Sequence, residues 1–275
     1  MKKSIIYLVT LAFLAVSFTS CEKSSAGLTG KVDYVVLKLL GDSQIMLSLG
    51  DTYVEPGWTA TDKGKDVHDK VDVTIVNMVG KEVDTIATDK PGIFTITYSA
   101  TSEDNMFISE QRQVLVFDPT LTMSLKGVFA VDFDKSEYNG DSNGTTWTEL
   151  SAYYTSSAWK YAQYSEKEID INIKEVVPGI YNVDCLIGGY YTFLRGYGGY
   201  MVDANEDPSL LHYYSMGGMI ILNADKSLDL VSSENIGFED SLEDFSGKYD
   251  DATNTLDIHS FYNGGKDFHI VMVKK

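Results

Sequence analysis

Short alternating runs, broken at close intervals by turn residues, constrain this chain more than any other feature. Phe94-Thr95-Ile96-Thr97-Tyr98-Ser99-Ala100-Thr101 is the clearest: Phe94, Ile96, Tyr98 and Ala100 fall on one face and the hydroxyl residues on the other. Ile169-Asp170-Ile171-Asn172-Ile173-Lys174 repeats the pattern, and Ile45–Leu49, Arg112–Val116, Ile180–Ile187, Met219–Leu222, Leu228–Val231 and Phe268–Val273 read as further strands. Pro178-Gly179, Asn223-Ala224-Asp225-Lys226 and Asn263-Gly264-Gly265 supply turns between them. From Val32 onward no stretch of ten or more residues carries a helical period. A period of two without a period of 3.6 predicts an all-β protein, and repeated short strands predict sandwiches or barrels.

The start of the chain is not fold material. Met1-Lys2-Lys3 is basic, Ile5–Val16 is apolar, and Ser17-Phe18-Thr19-Ser20-Cys21 closes the segment with small residues. That is the build of a secretory signal, and the apolar run falls short of the roughly 20 residues a membrane span needs. The site resembles the lipobox of bacterial lipoproteins, with Phe18 and Thr19 where leucine and alanine are commonest. The resemblance implies cleavage before Cys21 and a lipid on the new N-terminal cysteine. An ordinary cleaved signal with a chance cysteine is the alternative. Each buried methylene contributes about 0.8 kcal/mol, so the three acyl chains of such an anchor hold permanently. Residues 1–20 are thus read as signal and 21–31 as a lipidated tether.

Composition bounds the rest. Hydrophobic residues make up 44% of the chain, enough for packed cores. A formal net charge of −18 disfavours nucleic acid as a partner and anionic membrane surfaces as a docking site. With Cys21 lipidated, Cys185 stands alone and reads as a small buried hydrophobe. The four histidines lack zinc-type spacing, and neither a metal nor a cofactor is expected.

Residues 32–118 are read as the first domain, and residues 43–117 within it carry a longer pattern. Gly50, Tyr53, Glu55, Pro56, Gly57, Ala60 and Asp62 come first; Gly92, Phe94, Thr95, Ile96, Tyr98 and Ala100 follow; Arg112, Val114 and Val116 close it. This resembles the bacterial surface immunoglobulin-like domain, whose pattern runs G-x-x-Y-x-(D/E)-P-G-x-x-A-x-D, then G-x-(F/Y)-T-(I/V)-x-Y-x-A, then R-x-V-x-V. The resemblance implies a seven-strand sandwich acting as a spacer or display module. Ser102-Glu103-Asp104-Asn105-Met106 departs from the family's D-x-x-G-N, so that loop is expected to be longer or differently turned. Trp58 shares a strand face with Ala60 and is expected in the core. Asp118-Pro119 marks a boundary.

Residues 121–275 are predicted to form a second antiparallel β-domain of about ten strands, a sandwich or a lipocalin-like barrel. Most of the 18 tyrosines lie there. Neighbours on a strand face opposite ways, so one ring in each of Tyr153-Tyr154, Tyr190-Tyr191 and Tyr213-Tyr214 is expected to point outward. The glycines of Tyr190–Tyr200 admit a ligand or another backbone. Trp147, Trp159, Tyr190, Tyr191, Tyr197 and Tyr200 are therefore the candidate ligand-binding residues, with core packing as the alternative.

Catalytic motifs are weak. Gly140-Asp141-Ser142-Asn143-Gly144 matches G-x-S-x-G but lies in polar sequence without the strand and helix of a nucleophile elbow. Asp203-Ala204-Asn205-Glu206-Asp207 opens like a calcium loop and lacks its glycine and distal glutamate. The whole arrangement resembles small accessory lipoproteins of Sus-type glycan-utilisation systems. That resemblance implies non-catalytic binding of an oligosaccharide or polysaccharide at the outer-membrane surface, beside an import complex. A structural or adhesive lipoprotein with protein partners is the alternative, and a glycoside hydrolase a third.

Overall fold

The computed structural model describes residues 33–204, 212–235 and 241–275. The signal, Cys21 and the tether lie outside the described residues, as do positions 205–207 of the calcium-like run. Among the described residues the chain is mostly β.

The first part contains β1 (Val36–Leu39), β2 (Gln44–Ser48), β3 (Trp58–Asp62), β4 (Lys65–Asp66), β5 (Asp72–Asn77), β6 (Gly92–Thr101) and β7 (Phe107–Phe117). One sheet runs β1-β3-β4 and a second β2-β7-β6-β5. β6 keeps the alternation read from sequence: Phe94, Ile96, Tyr98 and Ala100 are all buried. β2 pairs with β7 in parallel, from Gln44 opposite Gln113 to Ser48 opposite Phe117. Gly57 has a φ of 92°, the conformation a Pro-Gly turn demands of its second residue. The 102–106 loop is a tight turn, in which the Ser102 hydroxyl accepts from the backbone N–H of Asp104 and Met106. Asn105 takes a φ of 60° where the family pattern has glycine; asparagine tolerates that region best among the other residues. Trp58 is half-buried rather than fully enclosed, stacked on His68 at 4.7 Å and tilted against Tyr98 at 5.0 Å.

The second part contains β8 (Gly127–Val131), β9 (Glu137–Tyr138), β10 (Asp170–Val177), β11 (Ile180–Val183), β12 (Gly218–Leu222), β13 (Leu228–Ser233), β14 (Leu242–Asp250), β15 (Thr255–Tyr262) and β16 (Lys266–Lys274). They form a nine-stranded sheet in the order β13-β12-β11-β10-β8-β16-β15-β14, with β9 on β16. Its pairings are antiparallel. The two ends meet at a bridge between Ser227 and Lys248, so the sheet nearly closes into a barrel. Of the two expected architectures, the barrel is the one formed. β11 stops at Val183, short of the predicted Ile187, and Cys185 sits buried just beyond it.

Helical segments between the strands are the main departure from expectation. Trp147–Tyr154 is an α-helix, Tyr190–Leu194 a π-turn and Tyr197–Asp203 a second short helix. The first is fixed by a capping box: the Thr146 hydroxyl accepts from the Glu149 N–H, and the Glu149 carboxylate accepts from the Thr146 N–H.

By contacts the chain divides into two compact units, one holding 33–40, Gly57–Asp72 and Tyr98–Glu110, the other Gly41–Pro56, Val73–Thr97 and Gln111–Lys275. Within the latter, Leu115 packs with Val177, Ile180, Ile221 and Val231 in an apolar cluster separate from the barrel core.

Candidate functional site

The barrel core continues outward as a column of aromatic rings. Phe268 stacks on Tyr138 at 4.2 Å, Tyr138 tilts against Tyr190 at 4.6 Å, and Trp147 lies 5.8 Å from Tyr190. Tyr190 meets Tyr191 edge-on at 4.7 Å. Trp147, Tyr190 and Tyr191 are only 0%, 1% and 3% exposed. These three candidates are therefore core residues and present no face to a ligand. The reason is local geometry. On a helical turn neighbouring side chains diverge by about 100°, not the 180° of a strand, so both rings of a pair can reach one core. The π-turn, closed by the Arg195 N–H donating to the Tyr190 carbonyl at 2.9 Å, aims both inward.

Trp159, Tyr197 and Tyr200 remain half-exposed, joined by Tyr161, which the sequence reading did not single out. Tyr161 touches all three, at 5.8 Å from Trp159, 5.4 Å from Tyr197 and 4.4 Å from Tyr200. Lys160 Nζ lies 4.8 Å from the Tyr161 ring centre. The Trp159 indole N–H donates to the Arg195 carbonyl at 2.9 Å, which locks the ring. The only sequence signal for Tyr161 was its membership of an aromatic-dense stretch.

The glycines of this region admit backbone. A Cβ on Gly196 would meet the backbone of Ser165, Tyr161 and Tyr164 at 2.9 Å; one on Gly198 would meet the Thr192 carbonyl at the same distance. The segment carrying Tyr161 packs directly on the Tyr190–Tyr200 stretch because those side chains are missing.

Asp141, from the loop that matched G-x-S-x-G, reaches the buried rings Tyr154 and Tyr190. It accepts from the hydroxyls of Tyr154 and Tyr190, and from the Asn143 N–H at 2.9 Å. Burial raises its carboxyl, but the hydroxyl and amide donors outweigh burial and hold it below the usual carboxylate range. The loop is therefore a tyrosine clamp. A helix does follow it, at Trp147, but β9 before it is only two residues long, so Ser142 sits on no nucleophile elbow.

Thr192 and Phe193 also line a cavity of about 670 Å³ with Asp170, Asp184 and Glu234. Each of these carboxylates is engaged. Asp170 pairs with Lys275 at 2.5 Å, Asp184 with Lys174 at 3.6 Å, and Glu234 accepts from the Gly217 N–H at 3.1 Å. Among the described residues no group of three or more His, Cys, Asp or Glu side chains could hold a metal ion.

Fold and site together define a chain made of an immunoglobulin-like module and a barrel domain with an aromatic helical insertion. Residues 37–116 match the family model of the bacterial surface protein Ig-like domain. A second family model, one defined for a C-terminal domain, matches residues 143–274. The crystal structure of the lipoprotein BT2262 from Bacteroides thetaiotaomicron is similar at 26% identity, covering 88% of this chain and 100% of that one, with a TM-score of 0.40. No curated protein matches the chain.

Proposed function

We propose that this chain is a non-catalytic lipoprotein of the outer-membrane surface, anchored through Cys21, that binds an oligosaccharide or polysaccharide on the ring layer of its C-terminal domain and serves an import complex. The observation that carries this is the contact group Trp159, Tyr161, Tyr197 and Tyr200, four half-exposed rings joined through Tyr161. Flat rings held by neighbours offer apolar faces to the C–H face of a sugar at little entropic cost. A domain of bacterial surface proteins placed between anchor and barrel suits display.

The test is a glycan array with residues 22–275, followed by calorimetry on the best hit. Trp159→Ala and Tyr200→Ala should each weaken binding at least tenfold while near-UV circular dichroism stays native. Unchanged affinity in both variants would place the site elsewhere. Anchoring is tested separately: Cys21→Ala should move the protein to the soluble fraction, and retention in membranes would count against it.

An apolar cavity of about 620 Å³, lined by Met78, Val79, Ile93, Leu230, Leu242 and Phe245, favours the second reading, a structural or adhesive lipoprotein with protein partners. An array without any hit puts that reading first.

A further inference from the structure

The sequence holds 40 acidic residues and only two arginines, Arg112 and Arg195. Arg112 is fully buried and conventionally neutralised: it donates to Glu55 and, through Nε, to the Asp42 carbonyl at 3.1 Å. Arg195 is treated differently. Its guanidinium carbon lies 4.9 Å from the Trp159 ring centre, 5.1 Å from Tyr197, 5.3 Å from Tyr154, 5.7 Å from Tyr191 and 5.8 Å from Tyr190. It makes no ion pair with any described residue, and its Nε is buried without a hydrogen-bond acceptor. Asp141 reaches two of the same rings, yet its oxygens are taken by the Tyr154 and Tyr190 hydroxyls and by Asn143.

Ring faces attract a cation but accept no strong in-plane hydrogen bond from it. A guanidinium partly drawn out of water and given, among the described residues, only rings keeps its planar fork of N–H donors available. The shape that fork matches is a carboxylate. Trp159 and Tyr197 belong both to the cage around Arg195 and to the half-exposed layer, so the charge sits beside the surface on which a sugar would stack. The strong negative charge of the chain opposes polyanions, whereas one carboxylate met by one arginine is tolerated.

We propose that Arg195 recognises a carboxylate, and that the saccharide bound at the ring layer carries an acidic sugar there, a hexuronate or a sialic acid. This deepens the oligosaccharide reading and rests on it.

The experiment uses residues 22–275 on an array of neutral glycans and their uronate- and sialate-bearing counterparts. Acidic hits are then titrated beside their carboxyl-reduced forms. Reduction of the carboxyl should weaken binding at least tenfold, and Arg195→Lys, which keeps the charge but loses the fork, should lose most of that discrimination. With only two arginines, the ¹⁵N spectrum of arginine side chains holds two Nε signals. The one missing in Arg195→Lys should shift with the acidic ligand while the Arg112 signal stays. If hits are all neutral, or carboxyl reduction leaves affinity unchanged, this inference falls while saccharide binding stands. An Nε signal unmoved at saturation overturns it without relying on any variant's folding. No hit of either kind overturns both readings.

Discussion

The carboxylate of Glu55 accepts from the guanidinium of Arg112, 57 residues further along the chain, and so joins the turn carrying Pro56-Gly57 to the buried start of the R-x-V-x-V strand. Tyr53 donates to the other oxygen of Glu55 at 2.6 Å. Three positions of the sequence pattern thus form one hydrogen-bonded unit around a charge with no access to water. Removing one partner of a buried pair leaves the other uncompensated and costs about 3–5 kcal/mol; Glu55 is partly exposed, which favours the low end. Glu55→Ala should therefore lower the urea midpoint markedly, and adding Arg112→Met should recover part of the loss. A single variant as stable as wild type would show that Arg112 is satisfied without Glu55.

Asp141 gives the barrel domain an acid limb. Its folded pKa lies below the ordinary value, so its contribution is complete above the unfolded aspartate pKa of about 3.9 and is lost as pH falls through the lower folded value. Asp141→Asn should flatten the dependence of stability on pH below about 4. Equal acid slopes in both proteins would remove Asp141 as the source.

The partner hydroxyls set an alkaline limb. Burial, then the Asp141 carboxylate, raise Tyr154 and Tyr190 far above the ordinary tyrosine value. The folded state keeps these protons while the unfolded chain releases them. Stability should fall as pH rises beyond about 10. Ultraviolet titration should show ordinary tyrosines ionising first and the buried ones only with unfolding.

Cys185 is enclosed, with its thiol pushed up to about 12 by burial, while its sulfur accepts from the Gly189 N–H at 3.2 Å. A thiol reagent should leave native protein unlabelled for hours at neutral pH and label it completely in urea. Rapid native labelling would show that this end of the barrel opens locally.

Gly196 combines a φ of 75° with the backbone of Tyr161, Tyr164 and Ser165 2.9 Å from where its Cβ would lie. A left-handed non-glycine residue alone costs roughly 1–3 kcal/mol, and here the Tyr161–Ser165 segment must also move. Gly196→Ala should lower Tm by several degrees and red-shift Trp159 emission as the ring layer loosens. Wild-type emission with wild-type Tm would mean that the contact relaxes without consequence.

How much of this was legible along the chain depended on the range of the forces involved. Strand periodicity and turn chemistry are local, so β6, β10 and the turns at Gly57 and Asn263–Gly265 could be read from neighbours alone. The Thr146–Glu149 capping box was equally local, a readable start for a helix too short to show a period. The π-turn and the helix after it carry no such mark; they hold because Tyr190 and Tyr191 pack into a barrel whose strands come from elsewhere in the sequence, and short helices are stabilised by tertiary packing rather than propensity. The candidate site divided for the same reason. Aromatic density identified the region, but exposure depends on which backbone lies across each ring, and that sent Trp147, Tyr190 and Tyr191 inside while leaving Trp159, Tyr197 and Tyr200 at the surface. The contrast between the two arginines was invisible in one dimension. Each is an arginine in an acidic chain, and only the folded state brings Glu55 to Arg112 and five aromatic rings to Arg195.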